Sequence, residues 1–158
     1  MSEAVCIETK AAINHGAIEI DTVLPIGLLK SNPPQYTTLY CHLTGIIAAA
    51  APHPVKVIIE TALLTEEEKV AACYIAAEAG AAFVKTCTGF SGGGATVEDV
   101  RLMKKAVEHK GGRVRVKASG GVRTFEKCLE VLRAGADRIG TSSGVGIMEG
   151  EKPKGESY

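Results

Sequence analysis

Two lysines in this 158-residue chain stand where apolar residues belong. Lys85 interrupts the run "AAFVKTCTGF" and Lys117 the run "RVRVKASGGV", each late in a β-rich stretch and each followed by a glycine-rich turn. A single such lysine reads as an exposed edge residue. Two of them, facing inward from neighbouring parallel strands, would lie roughly 5 Å apart, and at an effective dielectric of about 20 their repulsion is on the order of 3 kcal/mol. That repulsion is worth about two pKa units on one of the pair. A lysine so depressed offers a free amine, which attacks a carbonyl to form a Schiff base.

Schiff-base chemistry also needs a group that moves protons at the carbon next to the imine. Asp21 in "EIDTVL" lies mid-strand, with Glu19 on the same side at the two-residue period of a strand. A carboxylate inside a closed sheet is costly without cations beside it, and Lys85 and Lys117 would supply them. The plainer alternative is an aspartate that helps end an edge strand. If Lys117 points inward, Arg115 does too; Glu60 of "VIIET" is the expected partner for that guanidinium. Anion binding is the remaining signal. "TGFSGGG", "SGGVRT" and "GTSSGVG" place glycines, and hence approachable backbone N–H groups, at three successive strand ends, with Arg123, Ser142 and Ser143 among them. The last of these runs into a short helix start, an arrangement that binds phosphate at the late strands of many barrels.

The elements that must position these residues follow one local grammar. "NHGAIEIDTVL", "EAGAAFVKTCT" and "RAGADRIGTSS" each close a helical pattern on a glycine, Gly16, Gly80 or Gly135, and enter a β-rich run. Strands are predicted at 17–24, 55–61, 82–88, 113–119 and 137–141. Helices open at Thr65, where Glu68 completes a capping box, and at Thr96 and Thr124. Strands alternating with helices predict a parallel sheet with the helices outside it. Self-similar βα units ending in polar, glycine-rich loops predict an α/β fold of the TIM (β/α) barrel type, here an incomplete barrel of about five units in a single domain over 1–158 with a polar tail from 149. A small open α/β sheet is the alternative. The chain also starts on a helix-like segment, "EAVCIETKAAINHGA", read as the second half of a unit whose strand is missing.

Composition narrows the function class. Hydrophobic residues make up 46% and charged residues 23%, with a formal net charge of zero and no basic face, so nucleic acid is not an expected partner. The longest apolar run, "GIIAAAAP", is too short to span a bilayer, and no signal peptide is expected. Five scattered cysteines with no C-x-x-C pair predict reduced thiols and a cytoplasmic setting. Four isolated histidines predict no metal site, and neither phosphate-loop nor dinucleotide fingerprints occur.

Taken together, "EID", "KVIIET", "FVKTCTGFSGGGAT", "VKASGGVRT" and "AGADRIGTSSGV" resemble the deoxyribose-phosphate aldolases, in the right order from about residue 11 to residue 148. The resemblance implies a class I aldolase on a TIM barrel, working without metal or organic cofactor. Its reaction would be the reversible cleavage of 2-deoxy-D-ribose 5-phosphate to acetaldehyde and D-glyceraldehyde 3-phosphate. Carried over motif by motif, Lys85 is the Schiff-base lysine, Lys117 the neighbour that lowers its pKa, and Asp21 the proton-relay carboxylate. Gly89, Gly120, Gly121, Ser142 and Ser143 hold the phosphate, with Arg123 as a helper. Tyr158 is similar to a C-terminal tyrosine that assists proton transfer in some members. Homo-oligomers are expected. Cys87 departs from the family's usual serine between two threonines, and the family's early strands have no counterpart. Two alternatives stand beside the main reading: a Schiff-base aldolase for another sugar phosphate, and an inactive barrel fragment that retains phosphate binding.

Overall fold

The structure is a computed structural model that describes residues 2–150. Five parallel strands, β1 (Ile20–Val23), β2 (Val55–Ile58), β3 (Phe83–Lys85), β4 (Arg115–Ser119) and β5 (Arg138–Gly140), lie side by side in chain order. They are shorter than the sequence runs that predict them, because pairing stops where each chain turns toward its loop. Among the described residues seven α-helices accompany them: α1 (Ser2–Asn14), α2 (Ile26–Leu29), α3 (Tyr36–Ala50), α4 (Glu66–Glu78), α5 (Val97–Val107), α6 (Phe125–Arg133) and α7 (Gly144–Glu149).

Strand order decides between the two predicted architectures. Doubly wound sheets reverse their order at a switch point, whereas this sheet runs β1-β2-β3-β4-β5 without reversal, as a barrel wall does. Curvature confirms it. In a flat sheet the first and last of five strands would stand roughly 19 Å apart, beyond the combined reach of two side chains. Yet Arg138 on β5 reaches Glu19, the residue before β1, at 2.8 Å. The sheet is therefore curled, and its concave face is the barrel interior.

Alternation along each strand sorts the side chains between two faces. Val55, Val57, Val84, Val116 and Ala118 turn outward and are buried beneath the helices with Leu39, Leu43, Ile46, Val100 and Met103. The intervening residues turn to the interior, and here the polar groups collect: Asp21, Lys56, Lys85, Lys117 and Arg138.

Helix starts follow the predicted signals. The Thr65 side chain accepts from the Glu68 backbone N–H while the Glu68 carboxylate takes the Thr65 N–H, a complete capping box. At α5 and α6 the Thr96 and Thr124 side chains accept the Asp99 and Lys127 backbone N–H groups, caps without the reciprocal bond. Gly16, Gly80 and Gly135 all have positive φ at the ends of α1, α4 and α6. α3 is an addition that the strand and cap signals did not reveal; it packs against α1, where Gly45 leaves the Cys6 sulfur 3.6 Å from the position of a Cβ. All five cysteines are free thiols. No helix among the described residues is long and apolar enough to cross a membrane. Tyr158 and the tail from 151 lie outside the described residues.

Candidate active site

Register brings the two lysines together. Lys85 on β3 pairs directly with Lys117 on β4, as the inward-facing pattern requires. Asp21 sits two strands away on β1, so a third side chain must lie between them. That residue is Lys56 on β2, in register with Asp21. Asp21 Oδ1 accepts from Lys56 Nζ at 2.8 Å, and Oδ2 from Lys85 Nζ at 2.9 Å, with Lys117 Nζ 4.0 Å from the same oxygen. On its far side Lys56 also meets Glu19 at 2.7 Å, and Glu19 in turn holds Arg138. A continuous line of charge thus runs from β5 across the concave face to the lysine pair.

The sequence reading overlooked Lys56, although "PVKVIIE" shows the same lysine-in-apolar-run signal as Lys85 and Lys117. Its side chain is only 4% exposed, against 12% for Lys85 and 18% for Lys117. Lys56 is therefore a buried counter-ion, and the two more open amines are the ones a substrate can meet.

Four cations (Lys56, Lys85, Lys117, Arg138) face two carboxylates (Glu19, Asp21) in this line. The excess of positive charge acts on each titratable group. Burial pulls the Lys117 ammonium below the ordinary lysine range, and the Lys85 charge pulls it further, while Asp21 works against both. Burial alone would raise the Asp21 carboxyl, but the hydrogen bonds from Lys56 and Lys85 hold it below the ordinary carboxylate range. Glu19 is likewise held down, first by its hydrogen bond from Lys56 and then by that from Arg138. The arrangement offers an amine with a depressed pKa beside a carboxylate kept ionised, which is the pairing that nucleophilic attack and proton transfer require.

Small residues make the room. A Cβ on Gly140 would fall 2.9 Å from Lys117 Cε and closer still to Ser119 Oγ, so only glycine leaves the Lys117 side chain its course. Gly140→Ala is therefore expected to displace Lys117 from Asp21, cost about 1–3 kcal/mol of stability, and lower activity on the order of 10²-fold. Denaturant titration and steady-state turnover of the variant check both figures.

Gly89, Gly120, Gly121, Arg123, Ser142 and Ser143 all fall on the loops that leave β3, β4 and β5 at the end of the sheet where Lys85 and Lys117 emerge. Gly120 has φ 86°, and a Cβ there would meet Cys87 Sγ at 2.5 Å. The Ala95 N–H donates to the Gly120 carbonyl at 2.9 Å, tying the loop after β3 to the loop after β4. The Ser143 N–H donates to Thr141 Oγ1 at 3.0 Å. Cys87 is buried and donates to the Ser119 carbonyl at 2.7 Å; burial above all pushes its thiol pKa up.

One expected pair does not form. Arg115 lies over the Phe83 ring, 4.2 Å from its centroid, with Arg138 at 4.6 Å from the same centroid. Glu60 is directed elsewhere, with both carboxylate oxygens on the Thr88 backbone N–H. The reason is axial position: Arg115 opens β4 beside Phe83, which opens β3, whereas Glu60 lies beyond the far end of β2. Among the described residues no group of three His, Cys, Asp or Glu side chains is placed to hold a metal ion.

Comparison with known proteins supplies the family and the fold. The family described as DeoC/LacD family aldolase matches residues 2–150. A deoxyribose-phosphate aldolase of Streptococcus sanguinis is 53% identical over 98% of this chain and 68% of its own length. The solved aldolase QR15 superposes with a TM-score of 0.86 at 42% identity, over 95% of this chain and 66% of its own. The tetrameric deoxyribose phosphate aldolase of Aeropyrum pernix gives 0.79 at 30% identity, over 94% and 61%. The chain spans about two thirds of the length of these relatives.

Proposed function

This chain belongs to the DeoC/LacD family of aldolases, and on that premise we propose that it cleaves 2-deoxy-D-ribose 5-phosphate reversibly to acetaldehyde and D-glyceraldehyde 3-phosphate through a lysine imine. The observation that carries the proposal is the convergence of Lys85 and Lys117 on one ionised carboxylate, Asp21, at 2.9 and 4.0 Å. The relatives' names support the substrate, and the glycine- and serine-bearing loops after β3, β4 and β5 support a phosphate at that end of the sheet.

In the forward reaction the Lys85 amine adds to the C1 aldehyde of the open-chain sugar, and loss of water leaves a protonated imine. Asp21, acting through a water, accepts the C3 hydroxyl proton. The C2–C3 bond breaks, glyceraldehyde 3-phosphate departs, and the electron pair is held as an enamine on Lys85. Protonation at C2 and hydrolysis then release acetaldehyde and restore the amine. Lys117 keeps a second positive charge beside the imine nitrogen, although burial and the Lys85 charge hold its ammonium below the ordinary lysine range. Gly89, Gly120, Gly121, Ser142 and Ser143, with Arg123, bind the phosphate. Oligomerisation belongs to the same proposal, since the Aeropyrum pernix relative is a tetramer; sedimentation of this chain tests it.

A second assignment within this chemistry is favoured by one observation. Lys117 is the amine whose charge is disfavoured by burial and by Lys85, and it could itself be the nucleophile. Borohydride reduction of the protein with deoxyribose 5-phosphate, followed by peptide mapping, separates the outcomes. Mass added at Lys85 is expected. Mass at Lys117 would transfer the nucleophilic role, and no adduct on folded protein would remove the activity from this chain.

A further inference from the structure

The loop that follows Lys85 is held by a residue on the neighbouring strand. Glu60, just after β2, is the non-glycine residue with positive φ among those described, at 57°. That left-handed backbone is unfavourable for a side chain bearing a Cβ. Glu60 is also 2% exposed. Among the described residues its carboxylate is met by an amide rather than a cation: both oxygens take the Thr88 N–H at 3.2 Å. Burying a carboxylate on one N–H is unfavourable as well. Two such features on one residue, at the end of the sheet where the lysines emerge, point to a role other than folding.

The contacts say what that role is. Thr88 follows Lys85 by three residues and precedes Gly89. Its hydroxyl in turn accepts the Phe90 N–H at 3.2 Å, so Glu60 fixes Thr88 and Thr88 fixes the turn around Gly89. Next to Glu60, the Thr61 N–H donates to the Thr86 carbonyl at 2.9 Å, which locks the exit of β2 to the exit of β3. We infer that Glu60 is a positioning residue for the phosphate end of the substrate, acting through Thr88 on the loop that carries Gly89. This rests on the aldolase reading above.

Glu60→Gly is the informative variant, because glycine adopts φ near 57° without strain and the substitution removes the carboxylate without a backbone penalty. Its thermal midpoint is expected to equal or exceed that of the wild type. KM for deoxyribose 5-phosphate is expected to rise about tenfold or more, a loss of roughly 1.4 kcal/mol, while turnover of unphosphorylated 2-deoxyribose is unchanged. Glu60→Gln, which retains an acceptor for the Thr88 N–H, should keep KM for the phosphorylated sugar close to the wild-type value. Equal losses on both sugars, or no change on either, would overturn the inference. If the wild type forms no imine, the aldolase reading falls by itself, and binding of inorganic phosphate then decides about Glu60. Weaker binding by Glu60→Gly upholds its role, and equal binding overturns it.

Discussion

Lys85→Arg abolishes borohydride-trappable imine and lowers turnover of 2-deoxyribose 5-phosphate on the order of 10⁴-fold or more, the scale seen when a covalent nucleophile is lost. The variant isolates nucleophilicity from charge. Arginine still presents a cation to Asp21, which Lys85 meets at 2.9 Å, so the charge line across the concave face is kept. What disappears is an amine that can lose its proton, since a guanidinium stays charged throughout the working pH range. Folding is expected to change little, because a like-charged side chain still meets Asp21. Lys117→Arg should give a different pattern, with imine still trapped at Lys85 and turnover reduced less. If Lys85→Arg instead retained the adduct, now at Lys117, the two amines would have exchanged roles.

How far these residues can be read without coordinates depends on how local their signals are. The pairing of Lys85 with Lys117 was legible because both mark the same interior phase of neighbouring strands, and parallel register does the rest. The three threonine caps were legible because a cap and its N–H partner lie three residues apart. α3 was not, although Leu39, Leu43, Ile46 and Ala50 recur at helical spacing and are buried. It begins after Gln35 without a side-chain cap and ends at an extended Ala51, so both boundary signals are missing. Lys56 shows the limit in another way. Its run reads like those of the other two lysines, but its function as counter-ion comes from register, which sets it directly beside Asp21 on β1 and within reach of Glu19 just before that strand, and the run itself does not say which side chains it will face across the sheet. Glu60 was matched to Arg115 by charge alone, whereas their heights along the barrel axis keep them apart.

Curvature also explains why one carboxylate can serve three amines. Asp21 lies on β1 and Lys117 on β4, yet their charged atoms are 4.0 Å apart because the strands bend around a common interior. Flattening would leave Asp21 to Lys56 alone. The chemistry therefore depends on the whole wall of the barrel, and a substitution that opens the sheet, such as loss of the Glu19–Arg138 bridge, acts on the site from a distance.

Asp21→Asn tests that dependence, and it is expected to lower turnover by about 10²–10⁴-fold, the usual contribution of a proton-transfer group. An asparagine has one acceptor oxygen where the aspartate has two, and its amide nitrogen donates. Lys56, the more deeply buried partner, is expected to keep the oxygen, which turns the NH₂ group toward Lys85. Stability should fall by about 1–2 kcal/mol at neutral pH, allowing for the third of the carboxylate that is open to solvent. The pH dependence has a definite sign. Because the folded-state pKa of Asp21 lies below its ordinary value of 3.8, its contribution is complete above that value and is lost as pH falls through the lower, folded one. The stability gap between wild type and variant should therefore narrow in acid, which denaturant titrations at pH 7 and pH 3 would show. Lys117 moves the other way from activity: Asp21 holds its pKa up, so without that charge Lys117 becomes a freer amine, seen as faster modification by an amine-reactive probe. A variant with a more reactive lysine and much lower turnover would place the lost function in proton transfer by Asp21. One that lost stability and kept its turnover would leave Asp21 as a counter-ion only.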